Sequence, residues 1–167
     1  MKKILCLIFI FGSFHYLTAS DLYGQEAPLF SGTDLQGQQI NLADYRGKVV
    51  LLDFWASWCA PCKQEFPFLI HLYQKYKKSD FIVLAVNIDN ERKNMLSFLL
   101  KNDGIKSFPV IFDPEKKIPP LYDLQAMPTS LFIDKKGIIR FIHNGFSDSK
   151  KEEFQKELTI LLNEKKE

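Results

Sequence analysis

Val49-Val50-Leu51-Leu52-Asp53-Phe54-Trp55-Ala56-Ser57-Trp58-Cys59-Ala60-Pro61-Cys62-Lys63-Gln64-Glu65-Phe66-Pro67 is the stretch on which the reading of this chain turns. Its first half, Val49 to Phe54, is an apolar, β-branched run broken only by Asp53. Such a run is the pattern of a strand buried on both faces of a sheet. From about Ala60 to Lys78 the apolar residues fall at Phe66, Leu69, Ile70, Leu72, Tyr73 and Tyr76, a helical spacing. A second continuous run, Phe81 to Asn87, follows. Strand, helix, strand in that order implies two parallel strands joined by a right-handed crossover.

The pattern extends in both directions. Glu91 to Lys101 is expected to be a helix with Met95, Phe98 and Leu99 as its apolar stripe, stopped at Asp103-Gly104. Phe108 to Phe112 reads as a short strand and Pro119 to Asp123 as one helical turn. Ser130 to Ile133 and Ile138 to His143 read as a hairpin, with Gly137 supplying the positive φ of its turn. Asp148 or Ser149 is placed to cap a last amphipathic helix carrying Phe154, Leu158, Leu161 and Leu162. Gln39 to Leu42 suggests an added edge hairpin. The expected class is α/β, a central mixed β-sheet flanked by helices on both faces, in one domain spanning 26–167.

Cys59 and Cys62 sit where the strand hands over to the helix. Unpaired N–H groups and the helix dipole favour a thiolate there, so Cys59 is expected to have a lowered pKa and to act as nucleophile. Two intervening residues let the second sulfur face the first, so Cys62 can attack a mixed disulfide on Cys59 and release the substrate. Pro61 falls in the first turn, where its missing N–H costs nothing. A zinc site would need more ligands than these two cysteines with His71 and His143 offer, and neither histidine stands at ligand spacing, so no metal is expected. Both histidines read as structural or solvent-facing. A c-type haem site would need His after the second cysteine, and Lys63 stands there. A purely structural disulfide would close too small a loop to stabilise much.

The 167 residues have an ordinary globular composition, 46% hydrophobic with 15 Phe, enough for a packed core without staples. The formal charge of +2 comes from Lys2 and Lys3. These precede the apolar run Ile4 to Phe11, which continues to Leu17 but is too short and interrupted for a spanning helix. Residues 1–20 therefore read as a secretory signal cleaved near Thr18-Ala19-Ser20-Asp21, with a retained anchor as the alternative. Cys6 would leave with it. The rest carries no net charge, so nothing argues for nucleic acid or an anionic membrane surface. The Lys-rich end, with Lys150-Lys151 and Lys165-Lys166 among glutamates, reads as a solvated helix face. Export would place Cys59 and Cys62 in an oxidising compartment, where a disulfide persists.

The run from Asp53 to Pro67 resembles the active-site segment of thioredoxin-like proteins, and more narrowly that of the TlpA/ResA-like family of exported thiol-disulfide oxidoreductases. Glu65-Phe66-Pro67, the lead-in Gly47-Lys48-Val49-Val50, Phe108-Pro109 after an inserted helix, and the export signal carry that narrower likeness. The resemblance implies a thioredoxin-like fold, with Cys59 as nucleophile, Cys62 as resolving thiol and Trp58 as the aromatic shielding them. It makes Met127-Pro128-Thr129 the cis-proline loop, whose backbone pairs with an extended substrate segment. Pro128 is then cis, the one kind of bond for which cis is cheap.

Asp53 and Glu65 are the candidate proton handlers. A carboxylate inside an apolar strand is costly unless used, and burial raises its pKa, which suits Asp53 as a base for Cys62. Asp53 stands where many TlpA-like proteins carry Asn and thioredoxins carry Asp. Glu65 lies one helical turn beyond Cys62 and matches an acidic residue that ResA-like proteins use to tune their thiols. Its other reading is a solvated first-turn glutamate favoured by the helix dipole. Pro67 is expected to kink or restart the helix.

The activity these residues imply is disulfide exchange, running as reduction of substrate disulfides, with an oxidase or isomerase as the alternative in the same chemistry. Ala60-Pro61 brings no cation or histidine to stabilise the Cys59 thiolate further, which disfavours a strongly oxidising pair. A peroxidase would want a hydroxyl residue at position 56, where Ala56 stands, and a copper chaperone one more residue between the cysteines. A non-enzymatic binding module is the remaining alternative. The expected partners are protein disulfides or dithiols and a membrane thiol electron donor. The expected place is the periplasm or the outer face of the cytoplasmic membrane, and the resemblance implies reduction of haem-binding cysteines in cytochrome c maturation as one task. No cofactor is expected, and the chain is expected to be a monomer.

Overall fold

The computed structural model describes residues 22–102 and 107–164. The segment 1–20, the Asp103-Gly104 stop and Lys165-Lys166 lie outside the described residues. A small hairpin comes first, β1 (Ser31–Thr33) antiparallel to β2 (Gln39–Asn41). Then follow β3 (Val49–Trp55), α1 (Ala60–Tyr76), β4 (Phe81–Asn87), α2 (Arg92–Lys101), β5 (Val110–Phe112), β6 (Thr129–Ile133), β7 (Ile139–Asn144) and α3 (Lys151–Asn163). The 3-10 turns Leu42–Tyr45, Pro119–Tyr122 and Asp148–Lys150 lie between these elements. Among the described residues no helix is long and apolar enough to cross a membrane.

The main sheet runs β5-β4-β3-β6-β7. β3 pairs parallel with β4, and β4 with β5, whereas β3–β6 and β6–β7 are antiparallel, so the sheet is mixed. Every residue of β3 and β4 is buried, as their unbroken apolar runs require. Alternate side chains divide into two cores. Val49, Leu51, Trp55, Val83, Ala85 and Phe132 face α1, α2 and α3, meeting Phe66, Leu69, Met95, Leu99, Phe154 and Leu158. Val50, Leu52, Phe54, Leu84 and Leu131 face the segment before β1, the small hairpin and two of the 3-10 turns, meeting Phe30, Leu42 and Tyr122. Asp53 shares its face with Leu51 and Trp55, so it points toward the α-helices.

Several sequence-based expectations change in detail. The edge hairpin expected around Gln39 to Leu42 is present, but as a two-stranded sheet of its own, attached to edge strand β5 through the isolated bridge between Asp34 and Ile111. The strand expected from Phe108 starts only at Val110, because Pro109 has no N–H to give; its carbonyl still accepts from Ala85 N at 3.1 Å. Neither Asp148 nor Ser149 caps α3. A 3-10 turn runs straight into that helix, Lys150 takes the boundary position with helical φ and ψ, and Asp148 pairs instead with Lys151 Nζ at 2.6 Å. α1 continues unbroken through Pro67 rather than restarting there. In the β6–β7 turn Gly137 has φ 86°. Asp134 Oδ1 accepts from Lys136 N and Ile138 N, both at 2.9 Å, fixing that turn from its other end.

Tyr122 links the two sides of the second core. Its ring packs on Phe30 and Phe54, and its buried hydroxyl donates to the Pro28 carbonyl at 2.5 Å. Tyr122→Phe is expected to lower stability by about 1 kcal/mol, the net worth of one hydrogen bond, with the carbonyl left unpaired. The urea midpoint measures it, and an unchanged midpoint would mean that water replaces the hydroxyl.

Candidate active site

The site lies at the end of the sheet where the parallel strands β3 and β4 finish, the edge at which open α/β sheets place their ligands. β3 ends at Trp55, whose ring packs against Phe66 of α1 at 4.6 Å and Phe98 of α2 at 5.1 Å between centroids. These contacts anchor the strand immediately before the cysteine turn. The turn is held by Asp89, just beyond β4. Its carboxylate accepts from Ser57 N at 3.2 and 3.1 Å, from Ser57 Oγ at 3.1 Å and from Asn87 Nδ2 at 3.0 Å. Asp89 is buried, and nothing in the sequence marks it, because its partner lies 32 residues away.

Cys59 is the N-cap of α1, and its Sγ accepts from Cys62 N at 3.2 Å. Pro61 occupies the first turn, as the helix start tolerates. Cys59 and Cys62 form a disulfide. Cys59 is 5% exposed and Cys62 1%, so Cys59 is the more accessible cysteine. Trp58, next to them, is 62% exposed and leaves most of its side chain in solvent. Beside it opens a cleft of about 580 Å³ lined by Ser57, Trp58, Lys63 and residues of α2 including Phe98 and Lys101. Its lining comes from the cysteine turn, α1 and α2, and no local pattern announces it.

Met127-Pro128 is a cis peptide bond immediately before β6. Because β6 runs antiparallel to β3 with Thr129 opposite Phe54, this loop reaches the same sheet end as the cysteine turn. The Pro128 carbonyl accepts from Gly145 N at 2.7 Å, and Thr129 Oγ1 donates to the Ala126 carbonyl at 2.8 Å. Met127 packs partly buried against both cores.

Asp53 and Glu65 meet between β3 and α1. Both are 1% exposed, so Glu65 is not a solvated first-turn residue. It falls on the α1 face that also carries Cys62, Phe66, Leu69 and Leu72. Ser130 of β6 lies between the two carboxyls, its Oγ 2.7 Å from Glu65 Oε1 and 3.3 Å from Asp53 Oδ1. Burial holds the Asp53 carboxyl well above the usual range, and the charge of Glu65 adds to this. Burial likewise pushes Glu65 up to about 7, against the opposing hydrogen bond of Ser130 and the charge of Lys150.

One strand further, His143 Nε2 lies 2.6 Å from Glu157 Oε2 of α3, both residues buried. His143 is therefore a core residue paired across elements, whereas His71 is exposed. Among the described residues no cluster of histidines, cysteines and carboxylates could hold a metal ion. The arrangement sets a disulfide at the head of α1 and, between α1 and β3, two buried carboxyls that hold their protons more tightly than exposed ones do.

The AhpC/TSA family model matches residues 23–142. The thiol-disulfide oxidoreductase ResA of Bacillus thuringiensis subsp. konkukian is 38% identical over 137 residues, 81% of this chain and 78% of that protein. ResA of Geobacillus kaustophilus is 38% identical over 122 residues, 73% of this chain and 69% of the relative. Among solved structures, a chain from Chlorobium tepidum provisionally described as the thiol:disulfide interchange protein DsbE superposes with a TM-score of 0.80 at 39% identity. The match covers 84% of this chain and 98% of that one. The exposed lipoprotein thioredoxin Etrx1 of Streptococcus pneumoniae gives 0.68 at 30% identity, over 80% and 100% of the two chains.

Proposed function

Because the chain belongs to the AhpC/TSA family and is a thiol-disulfide oxidoreductase of the ResA kind, we propose that it works outside the cytoplasm as a reductant of protein disulfides. The observation that carries this is the Cys59–Cys62 disulfide at the head of α1, with two buried carboxyls beneath it. In this reading the reduced protein presents Cys59 as thiolate, favoured by the N–H groups of the first turn of α1. Its sulfur attacks a substrate disulfide, and one substrate sulfur leaves as thiolate. Cys62, having lost its proton toward Asp53 and Glu65, attacks Cys59 Sγ, closes the Cys59–Cys62 bond and frees the second substrate sulfur. Trp58 and the loop Met127-Pro128-Thr129 flank the reacting sulfurs and hold the substrate segment.

Each turnover leaves the protein oxidised, so a membrane thiol donor must return two electrons. Residues 1–20 serve export in this reading, and 26–167 form the working domain in the periplasm or at the outer face of the cytoplasmic membrane. The haem-binding cysteines of cytochromes c are one substrate of the right chemistry. Equilibration with glutathione or dithiothreitol buffers is expected to give the Cys59/Cys62 pair a potential near or below about −230 mV. A value above about −150 mV would make the protein an oxidant or isomerase and overturn the reductant reading.

A further inference from the structure

Ser130 stands opposite Asp53 in the β3–β6 register, and its hydroxyl touches one oxygen of Asp53 and one of Glu65. The outer oxygens of the pair, Asp53 Oδ2 and Glu65 Oε2, are buried without a hydrogen-bond partner. A serine hydroxyl carries one proton and two lone pairs. It can donate to one carboxyl only, and toward the other its oxygen must accept. The proton for that second contact has to come from the carboxyl itself. Two carboxylates on one hydroxyl would instead set lone pair against lone pair between buried like charges, an arrangement that burial penalises heavily.

Resting on the reading that Asp53 and Glu65 handle the proton of Cys62, we propose that Ser130 is a positioning residue joining them into a dyad that holds one proton while the disulfide is closed. The dyad, and not either carboxyl alone, takes the Cys62 proton. Rotation of the Ser130 hydroxyl, with a proton passing along Asp53–Ser130–Glu65, lets the charge sit at either end. In the resolving step the Cys62 thiol gives its proton to the charged member of the dyad. The Cys62 electron pair attacks Cys59 Sγ, the Cys59–substrate S–S bond breaks, and its electrons leave on the substrate sulfur. The dyad, now holding two protons, passes one to that departing thiolate and returns to its one-proton state.

The surroundings suit such a relay. From β4 the residue opposite Asp53 is Ala85, which brings no charge. From the 3-10 turn before α3, Lys150 sets its positive charge toward Glu65 while donating to the Asn144 and Gly145 carbonyls at 2.9 and 2.7 Å. From β7, His143 stands opposite Ser130 in register, already tied to Glu157 of α3. From α1, Cys62 lies one turn before Glu65.

The test follows the side-chain carboxyl carbons of Asp53 and Glu65 by NMR in the oxidised protein, from about pH 3 to pH 10. Both are expected to move in the same two steps, the second at or above neutrality. Ser130→Ala is expected to separate them into one step per residue, and Ser130→Thr, which keeps the hydroxyl, to restore the shared steps. Ser130→Ala should also slow resolution of a Cys59 mixed disulfide about tenfold at neutral pH, less than the roughly 10²–10⁴-fold that a positioned proton acceptor contributes, because both carboxyls remain in place. Single independent steps in the wild type, or curves that Ser130→Ala leaves unchanged, overturn the proposal. Should Ser130→Ala fail to fold, the wild type still decides. A slowly exchanging, downfield Ser130 hydroxyl proton that vanishes when the second carboxyl ionises supports the dyad, and its absence at every pH overturns it. A protein that proves to be an oxidant defeats the reductant reading while these curves still judge the dyad. Independent curves in an active reductant defeat the dyad alone.

Discussion

Cys59→Ser is expected to abolish disulfide exchange, lowering kcat/KM for insulin reduction about a thousandfold or more, because Cys62, nearly sealed inside the first turn of α1, is poorly placed to attack a substrate in its stead. Cys62→Ser is expected to lose turnover to a similar degree but for a different reason. It can still attack, yet it cannot resolve, so a substrate remains linked to Cys59. Intact-mass measurement after mixing with a disulfide peptide separates the two cases: an adduct on Cys62→Ser and none on Cys59→Ser. The structure gives the asymmetry its cause. Cys59 is the N-cap and the more accessible cysteine, while Cys62 lies inside the first turn and is nearly sealed. The opposite adduct pattern would exchange the two roles and with them the proton path through Asp53 and Glu65.

What could be read from the sequence was whatever depends on neighbours in the chain. The runs around Leu51 and Val83 announce strands covered on both faces, and the spacing from Phe66 to Tyr76 announces the helix between them. The position of Cys59 and Cys62 at their junction follows from the same two patterns. Residues that act through distant partners gave no such signal. Ser130 meets Glu65 across 65 positions and Asp53 across 77, and in a strand of apolar neighbours a serine looks like a tolerated small residue. Asp89 reads as part of a polar loop until β3 and β4 bring Ser57 beside it. His143 and Glu157 are ordinary polar residues of a strand and a helix whose meeting depends on how α3 lies on the sheet. The misplaced cap of α3 has a local cause: Asp148 is a good capping residue, but the 3-10 turn leaves its carboxylate facing Lys151 instead.

Glu65→Gln is expected to stabilise the oxidised protein at pH 8 by about 2 to 3 kcal/mol while leaving it nearly unchanged at pH 4. The folded state holds Glu65 up to about 7 against an ordinary value of 4.5, and Asp53 is raised as well. Between those pH values the folded protein binds more protons than the unfolded chain, so its stability falls as pH rises. This contribution is complete below the unfolded value and is lost by the time pH passes the folded one. At 1.36 kcal/mol per unit, Glu65 alone accounts for on the order of 3 kcal/mol, undiminished by solvent because the carboxyl is buried. Glutamine keeps the shape and an oxygen for Ser130 but cannot ionise, so that loss should disappear. Removing the neighbouring negative charge should also let Asp53 ionise at lower pH. Urea midpoints of the wild type and the variant, measured at both pH values, separate the effect of the Asp53–Glu65 pair from the titrating groups that do not face it. Parallel values would mean that Glu65 does not remain both buried and charged at pH 8. The gain should come with slower resolution by Cys62, because the carboxyl that burdens the fold above neutrality is half of the dyad proposed to take its proton.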